Sequence, residues 1–311
     1  MKSIVFYSTL ISLVFMACSS PKTASKPLPK ETDYTVQSLE IQDTVALSMV
    51  EQPQTEQGSY ILKPGFYAAE FKSYCLQPGT PDPTPRDAYF QAPVNHPRKE
   101  IIEAILKNSQ TVNDLDQRNI QLLLWGVVSR TEFSKLPTPV QYTGRRLLNS
   151  KQLFELNGGV IGIVKTVAAV MPSGGALGDI QQVFNTGVNS YEAYEQIAVP
   201  RTLSQMRKPE FKLNQWYRHE QGFYVRYYPD GYKKTNIQVY VPETTADGEN
   251  LINYILFDPT SISIAPANTN AQRLGIGAPV VIDIIRTVIK VIDLDKPTRP
   301  AKKETPKHPK A

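Results

Sequence analysis

The sequence predicts an α+β protein, in which a mainly helical domain with a short N-terminal sheet is followed by a smaller antiparallel β-rich domain. Two observations lead to this prediction. Apolar residues recur at helical spacing between residues 98 and 197, whereas from residue 211 onward they alternate with a period of two. The chain has 311 residues, 41% hydrophobic and 20% charged, which is enough for two buried cores and argues against wholesale disorder.

The first 17 residues predict a signal peptide. A positive residue is followed by an apolar run over 4–16 that is too short to span a membrane as a mature helix. The run leads through a small residue into Cys18 and Ser19. This arrangement resembles the bacterial lipoprotein signal, which implies lipid (palmitate among its acyl chains) on Cys18 and anchoring in the outer membrane, facing either the periplasm or the surface. The alternative is an ordinary secretory signal that contains a Cys.

The chain then divides into four predicted parts. Each boundary falls where the composition changes. The parts are a flexible tether at 18–58, a mainly helical domain at 59–200, a β-rich domain at 201–294 and a disordered basic tail at 295–311.

Within the helical domain, an aromatic-rich strand pair or single long strand over 65–76 comes first, before a proline-rich loop at 77–87. Four helical stretches follow, at 98–109, 115–131, 138–157 and 179–197. The second is almost wholly apolar from Ile120 to Val128, which predicts a buried helix.

The β-rich domain begins with a hairpin predicted around the Pro-Asp-Gly turn at 229–231. Further strands are predicted at 251–257 and 261–265. The tyrosines of the hairpin could form a glycan or partner surface, and cross-strand aromatic packing is the simpler interpretation.

Several classes of site are excluded. The formal charge of +5 lies mostly in the tail, so it does not indicate a nucleic-acid partner. Two Cys and three His leave no cysteine-based zinc centre, and we predict neither a metal nor a cofactor. The glycines at 172–178 lack the Lys-Ser/Thr of a phosphate-binding loop. His96 and His219 are predicted to be surface or turn residues.

One specific chemical hypothesis remains, and it concerns Cys75. If Cys18 carries lipid, Cys75 has no partner for a disulfide in an exported protein. Tyr74-Cys75 at a strand end, followed by a loop, a helix and then Gln121 four residues before Trp125, resembles the bacterial surface thioester domains. The resemblance covers about residues 60–131. It implies that Cys75 and Gln121 condense into an internal thioester that amines attack, with Trp125 shielding the bond.

The motif departs from that family at two positions, Ile120 in place of Thr and Leu123 in place of Ala, and the separation of 46 residues between Cys75 and Gln121 is short for it. A nearly all-apolar helix would supply the dry pocket that such a bond needs. The alternative is that Cys75 is a small buried hydrophobe and Gln121 a buried amide bonded to the backbone.

The sequence therefore predicts a non-enzymatic attachment or interaction module of the cell envelope, held to the membrane through Cys18 and acting on a protein or glycan partner. A passive structural subunit of an outer-membrane assembly is the alternative. A glycan or peptidoglycan hydrolase ranks lower, because no carboxylate or His pair has a recognisable catalytic spacing.

Overall fold

The computed structural model describes residues 36–37, 45–112, 114–158, 175–207, 213–244, 251–280 and 288–289. The predicted signal peptide, Cys18, most of the tether and the basic tail lie outside these residues.

The regular elements are short, apart from one long strand. The strands are β1 (Val36–Gln37), β2 (Leu47–Ser48), β3 (Gln54–Thr55), β4 (Tyr60–Leu62), β5 (Gly65–Cys75), β6 (Tyr89–Ala92), β7 (Trp216–Arg218), β8 (Tyr224–Asp230), β9 (Lys234–Val241), β10 (Ile255–Phe257), β11 (Ser263–Pro266), β12 (Leu274–Pro279) and β13 (Val288–Ile289). The helices are α1 (Lys99–Asn108), α2 (Gln117–Val128), α3 (Thr138–Leu147), α4 (Ser150–Leu156), α5 (Ala176–Asn185) and α6 (Tyr191–Ala198).

Six antiparallel strands close into a barrel, in the order β5, β9, β8, β6, β11, β12 and back to β5. Extra strands extend this sheet, and β10, β4, β3 and β13 form a smaller second sheet. The predicted fold class is therefore wrong: the part of the chain that the structure describes is mostly β, with short helices beside the barrel, and forms no mainly helical domain.

The physical reason is that strands from both predicted domains pair with one another. Strand β5 pairs with β9 from Gly65↔Val241 to Lys72↔Lys234, and its far end pairs with β12 at Cys75↔Leu274. Burial alternates strictly along β9, so every second side chain points into the core. Local periodicity identifies such strands but does not show that they meet across more than 150 residues of chain.

The sequence predicts the positions of the helices more accurately than the pairing of the strands. Helix α1 packs against β12 and α2 against β5. The predicted helix over 138–157 is divided in two, because Asn149 forms a capping box with Gln152 that starts α4. The predicted helix over 179–197 is likewise divided, and Ser190 caps the start of α6.

No helix in the described part of the chain is long and apolar enough to cross a membrane.

Candidate functional site

The structure brings Cys75 and Gln121 into direct contact. The backbone N–H of Cys75 donates to Oε1 of Gln121 at 2.8 Å, and Nε2 of Gln121 donates to the backbone carbonyl of Cys75 at 3.0 Å. Cys75 is 0% exposed and Gln121 is 1% exposed. The carboxamide therefore lies against the main chain of Cys75 in a pocket that excludes water.

This pairing arises because β9 begins at Lys234, opposite Lys72. The Ser73 N–H still donates to the Lys233 carbonyl at 2.9 Å, but no described strand lies beside Cys75 on that side. Two side-chain amides of α2 replace it: Gln121 pairs with Cys75, and Nε2 of Gln117 donates to the carbonyls of Ser73 (3.3 Å) and Lys233 (2.8 Å). Buried backbone groups need such partners, so α2 completes the edge of β5.

One face of α2 carries the whole arrangement. Gln117, Gln121 and Trp125 are spaced at i, i+4 and i+8, which places them along the same side of the helix. Asp116 caps the helix by accepting from the Arg118 N–H at 2.8 Å, which fixes where this face begins. The sequence predicted this shared face for Gln121 and Trp125 but not the role of Gln117.

The Cys75 thiol is free and neutral at physiological pH. Burial raises its pKa to about 12, although the Trp125 indole and the Gln77 backbone amide oppose the rise. The indole N–H makes no hydrogen bond of regular geometry with any of the residues described. A buried neutral thiol is slow to react with reagents from solvent.

A layer of aromatic rings covers Trp125. Its indole stacks on Tyr191, with centroids 5.8 Å apart, and lies 6.4 Å from the Tyr232 ring. The hydroxyls of the two tyrosines are 2.6 Å apart, and the Tyr232 hydroxyl also donates to Glu195 through a short hydrogen bond. Burial raises the pKa of Tyr191 and of Tyr232. Glu195 in turn pairs with Lys233 at 2.9 Å.

Sequence reasoning missed this layer. Tyr191 and Glu195 are four residues apart on α6, so they share a helix face, while Tyr232 follows the Gly231 turn of the β8–β9 hairpin. Neither segment resembles a site on its own. Only the tertiary fold places the hairpin turn beside β5, where the Ser73 hydroxyl donates to the Tyr232 carbonyl at 3.0 Å.

Two of the hairpin tyrosines pack on each other across the strands. Tyr224 lies directly opposite Tyr240, with ring centroids 6.3 Å apart, and Tyr227 points into the core. This agrees with the packing interpretation of these residues. His219 stacks on Phe223 at 4.2 Å and belongs to a turn. In the part of the chain that the structure describes, no group of His, Cys, Asp and Glu side chains could hold a metal ion.

His96 is half-buried, and its burial makes the stability of the folded protein depend on pH. Burial lowers its pKa from 6.5 to about 4, helped by Arg98 and Arg130 and opposed by the Val128 carbonyl. The folded state therefore keeps His96 neutral while the unfolded state gains a proton below pH 6.5. Stability from this residue is present above pH 6.5 and is lost as the pH falls towards 4, by about 3 kcal/mol at most.

The variant His96→Gln is expected to lack this part of the acid sensitivity. Urea unfolding of both proteins at a series of pH values should show the wild type losing stability relative to the variant below pH 6.5. A constant difference between the two proteins across that range would contradict the assignment to His96.

Comparison with known proteins gives no relative from which to argue: no family model, no curated protein and no solved structure matches the chain.

Proposed function

We propose that the protein is an exported attachment module, lipid-anchored to the outer membrane through Cys18, that forms a covalent bond with an amine of a protein or glycan partner through a Cys75–Gln121 thioester. One observation carries the proposal: the Gln121 carboxamide is held against the main chain of Cys75 in a fully buried pocket, and the Cys75 thiol forms no disulfide among the described residues.

The bond-forming step is an acyl transfer. The Cys75 sulfur attacks Cδ of Gln121, the C–N bond of the carboxamide breaks, and Nε2 leaves as ammonia with the proton of the thiol. The Cys75 N–H already donates to Oε1, so it can stabilise the negative charge that develops on this oxygen. The same hydrogen bond then polarises the thioester carbonyl towards an amine.

The second step attaches the partner. An amine attacks Cδ, the C–S bond breaks, and the sulfur takes up a proton as the thiol of Cys75. The product is an amide between Gln121 and the partner. Its N–H can take the place of Nε2 as the donor to the Cys75 carbonyl. Trp125 and the rings above it exclude water, which would otherwise hydrolyse the bond.

A passive structural subunit is the second candidate. The pairing of Gln121 with both backbone groups of Cys75 is complete by itself and stabilises the end of β5 without any reaction. In this case Cys75 is only a small buried side chain and the envelope partner is bound without a covalent bond.

Methylamine separates the two candidates. The thioester protein is expected to gain one methylamine adduct, located at Gln121 by peptide mapping, and one thiol that can be alkylated in urea. The variant Cys75→Ala is the control and should gain neither. A wild-type protein with no adduct, whose Cys75 can be alkylated as soon as it is unfolded, would support the passive subunit.

A further inference from the structure

A surface cleft of about 920 Å³ lies on the outer side of the aromatic layer, between α6 and the β8–β9 turn. Tyr232 is shared between the two regions, because it lines the cleft and its ring also packs on Trp125. The rings of Tyr191, Tyr232 and Trp125 therefore separate this cleft, here called the α6 cleft, from the Cys75–Gln121 pair.

Four carboxylates and two cations line the α6 cleft. Glu192 and Asp230 pair with cations beside the cleft, Arg118 at 3.6 Å and Lys234 at 3.4 Å, so Asp82 and Glu195 are the carboxylates available to a positively charged ligand. The carboxylates are Asp82, Glu192, Glu195 and Asp230, and the cations are Arg201 and Lys233. Glu195 lies closest to the aromatic layer, since it accepts the hydroxyl of Tyr232.

Lys233 shows how a primary ammonium group binds there. Its Nζ lies 2.9 Å from Glu195, 5.3 Å from the centre of the Tyr232 ring and 5.7 Å from that of Tyr191. A carboxylate and two ring faces form a favourable site for an ammonium ion. The Lys233 side chain is 51% exposed, so little free energy is needed to displace it into solvent.

We infer that the α6 cleft is the subsite for a lysine side chain of a protein partner, whose ammonium replaces Lys233 on Glu195 and between the two tyrosine rings. The inference rests on the proposed function and identifies the route to Gln121. A long, unbranched lysine chain suits this route, because the rings of Tyr191, Tyr232 and Trp125 lie between the cleft and Gln121. Of the three ammonium protons, one stays on the new amide, one goes to the Cys75 sulfur and one leaves through Glu195 to solvent.

The test uses opposite expectations for two residues that form one ion pair. The probe is Nα-acetyl-lysine amide, and the full chain is used throughout. Glu195→Gln is expected to slow adduct formation about fivefold, because the ammonium loses its carboxylate, whereas Lys233→Met is expected to accelerate it about fivefold, because the competing ammonium is gone. A purely structural ion pair would instead give changes of the same sign, since both variants break it.

Two controls accompany these variants. Lys151→Met and Glu155→Gln break a comparable pair on α4, away from the cleft, and should leave the rate unchanged. Hydroxylamine, which is largely uncharged at neutral pH, should react with the Glu195→Gln protein almost as fast as with the wild type. Equal slowing of both nucleophiles, or changes of the same sign at Glu195 and Lys233, would overturn the inference.

A binding measurement separates this inference from the proposed function. Cys75→Ala cannot form a thioester, so titration of that protein with the probe, followed by NMR, reports the subsite alone. Chemical-shift changes on α6 and the β8–β9 turn are expected in the Cys75→Ala protein, and they should disappear in the Cys75→Ala, Glu195→Gln double variant. This result would support the subsite even if the wild type forms no thioester. No binding, with or without Lys233→Met, would overturn it.

Discussion

Replacing Gln121 by alanine is expected to lower the free energy of unfolding of the protein without a thioester by about 3 kcal/mol. The change leaves the N–H and the carbonyl of Cys75 without partners in a pocket that water does not reach. Each unpaired buried group costs about 1–3 kcal/mol. Urea unfolding of the two purified proteins measures the difference.

Gln117→Ala is the matched control for this variant. Gln117 lies one turn earlier on the same helix face, but its longer hydrogen bond, to the Ser73 carbonyl at 3.3 Å, is only partly buried, and its shorter one, to the Lys233 carbonyl at 2.8 Å, is exposed to solvent. Water can replace this bond, so the expected loss is below about 1 kcal/mol. Equal losses in the free energy of unfolding would mean that the buried Cys75–Gln121 hydrogen bonds stabilise the fold no more than the hydrogen bonds of Gln117 do.

Replacing Trp125 by alanine is expected to have the largest effect on stability, about 3–5 kcal/mol. Its side chain is 0% exposed and lies between the Cys75 thiol and the rings of Tyr191 and Tyr232. Truncation leaves a large cavity at the junction of barrel and helices. The free energy of unfolding in urea measures the loss.

The same truncation also opens the site to water. Thiol alkylation of the folded Trp125→Ala protein is therefore expected to be faster than that of Trp125→Phe, which keeps an aromatic ring over Cys75 and should lose less stability. If the free energy of unfolding of Trp125→Ala lies within about 1 kcal/mol of the wild-type value, Trp125 is not packed tightly enough to be the shield that the proposed function requires.

The local features of the site could be predicted from the sequence, but the architecture around it could not. The strand that ends at Cys75 and the buried helix that carries Gln121 both have strong local signals. The barrel is different, because it depends on β5 pairing with β9 and β12. Hydrophobic periodicity identifies each strand but does not indicate which distant strand it pairs with. The sequence therefore predicts two separate domains where the structure has one barrel.

The aromatic layer was missed for a related reason. Tyr191 and Glu195 belong to α6 and Tyr232 to a hairpin turn, and each has an ordinary local role in its own segment. Their importance comes from the hydroxyl contact between the tyrosines, which only the tertiary fold creates. By contrast, Cys75 and Gln121 are only 46 residues apart in the chain, and a strand signal and a helix signal mark the elements that carry them.

The intact mass of the purified, folded protein tests the central claim most directly. A Cys75–Gln121 thioester makes the wild type lighter than its sequence mass by one ammonia, after allowance for lipid. Cys75→Ala and Gln121→Glu, which lack the thiol and the carboxamide respectively, should both have their full sequence mass. A wild type of full mass, with Cys75 free once unfolded, would contradict the thioester and leave Gln121 as the amide that completes the edge of β5.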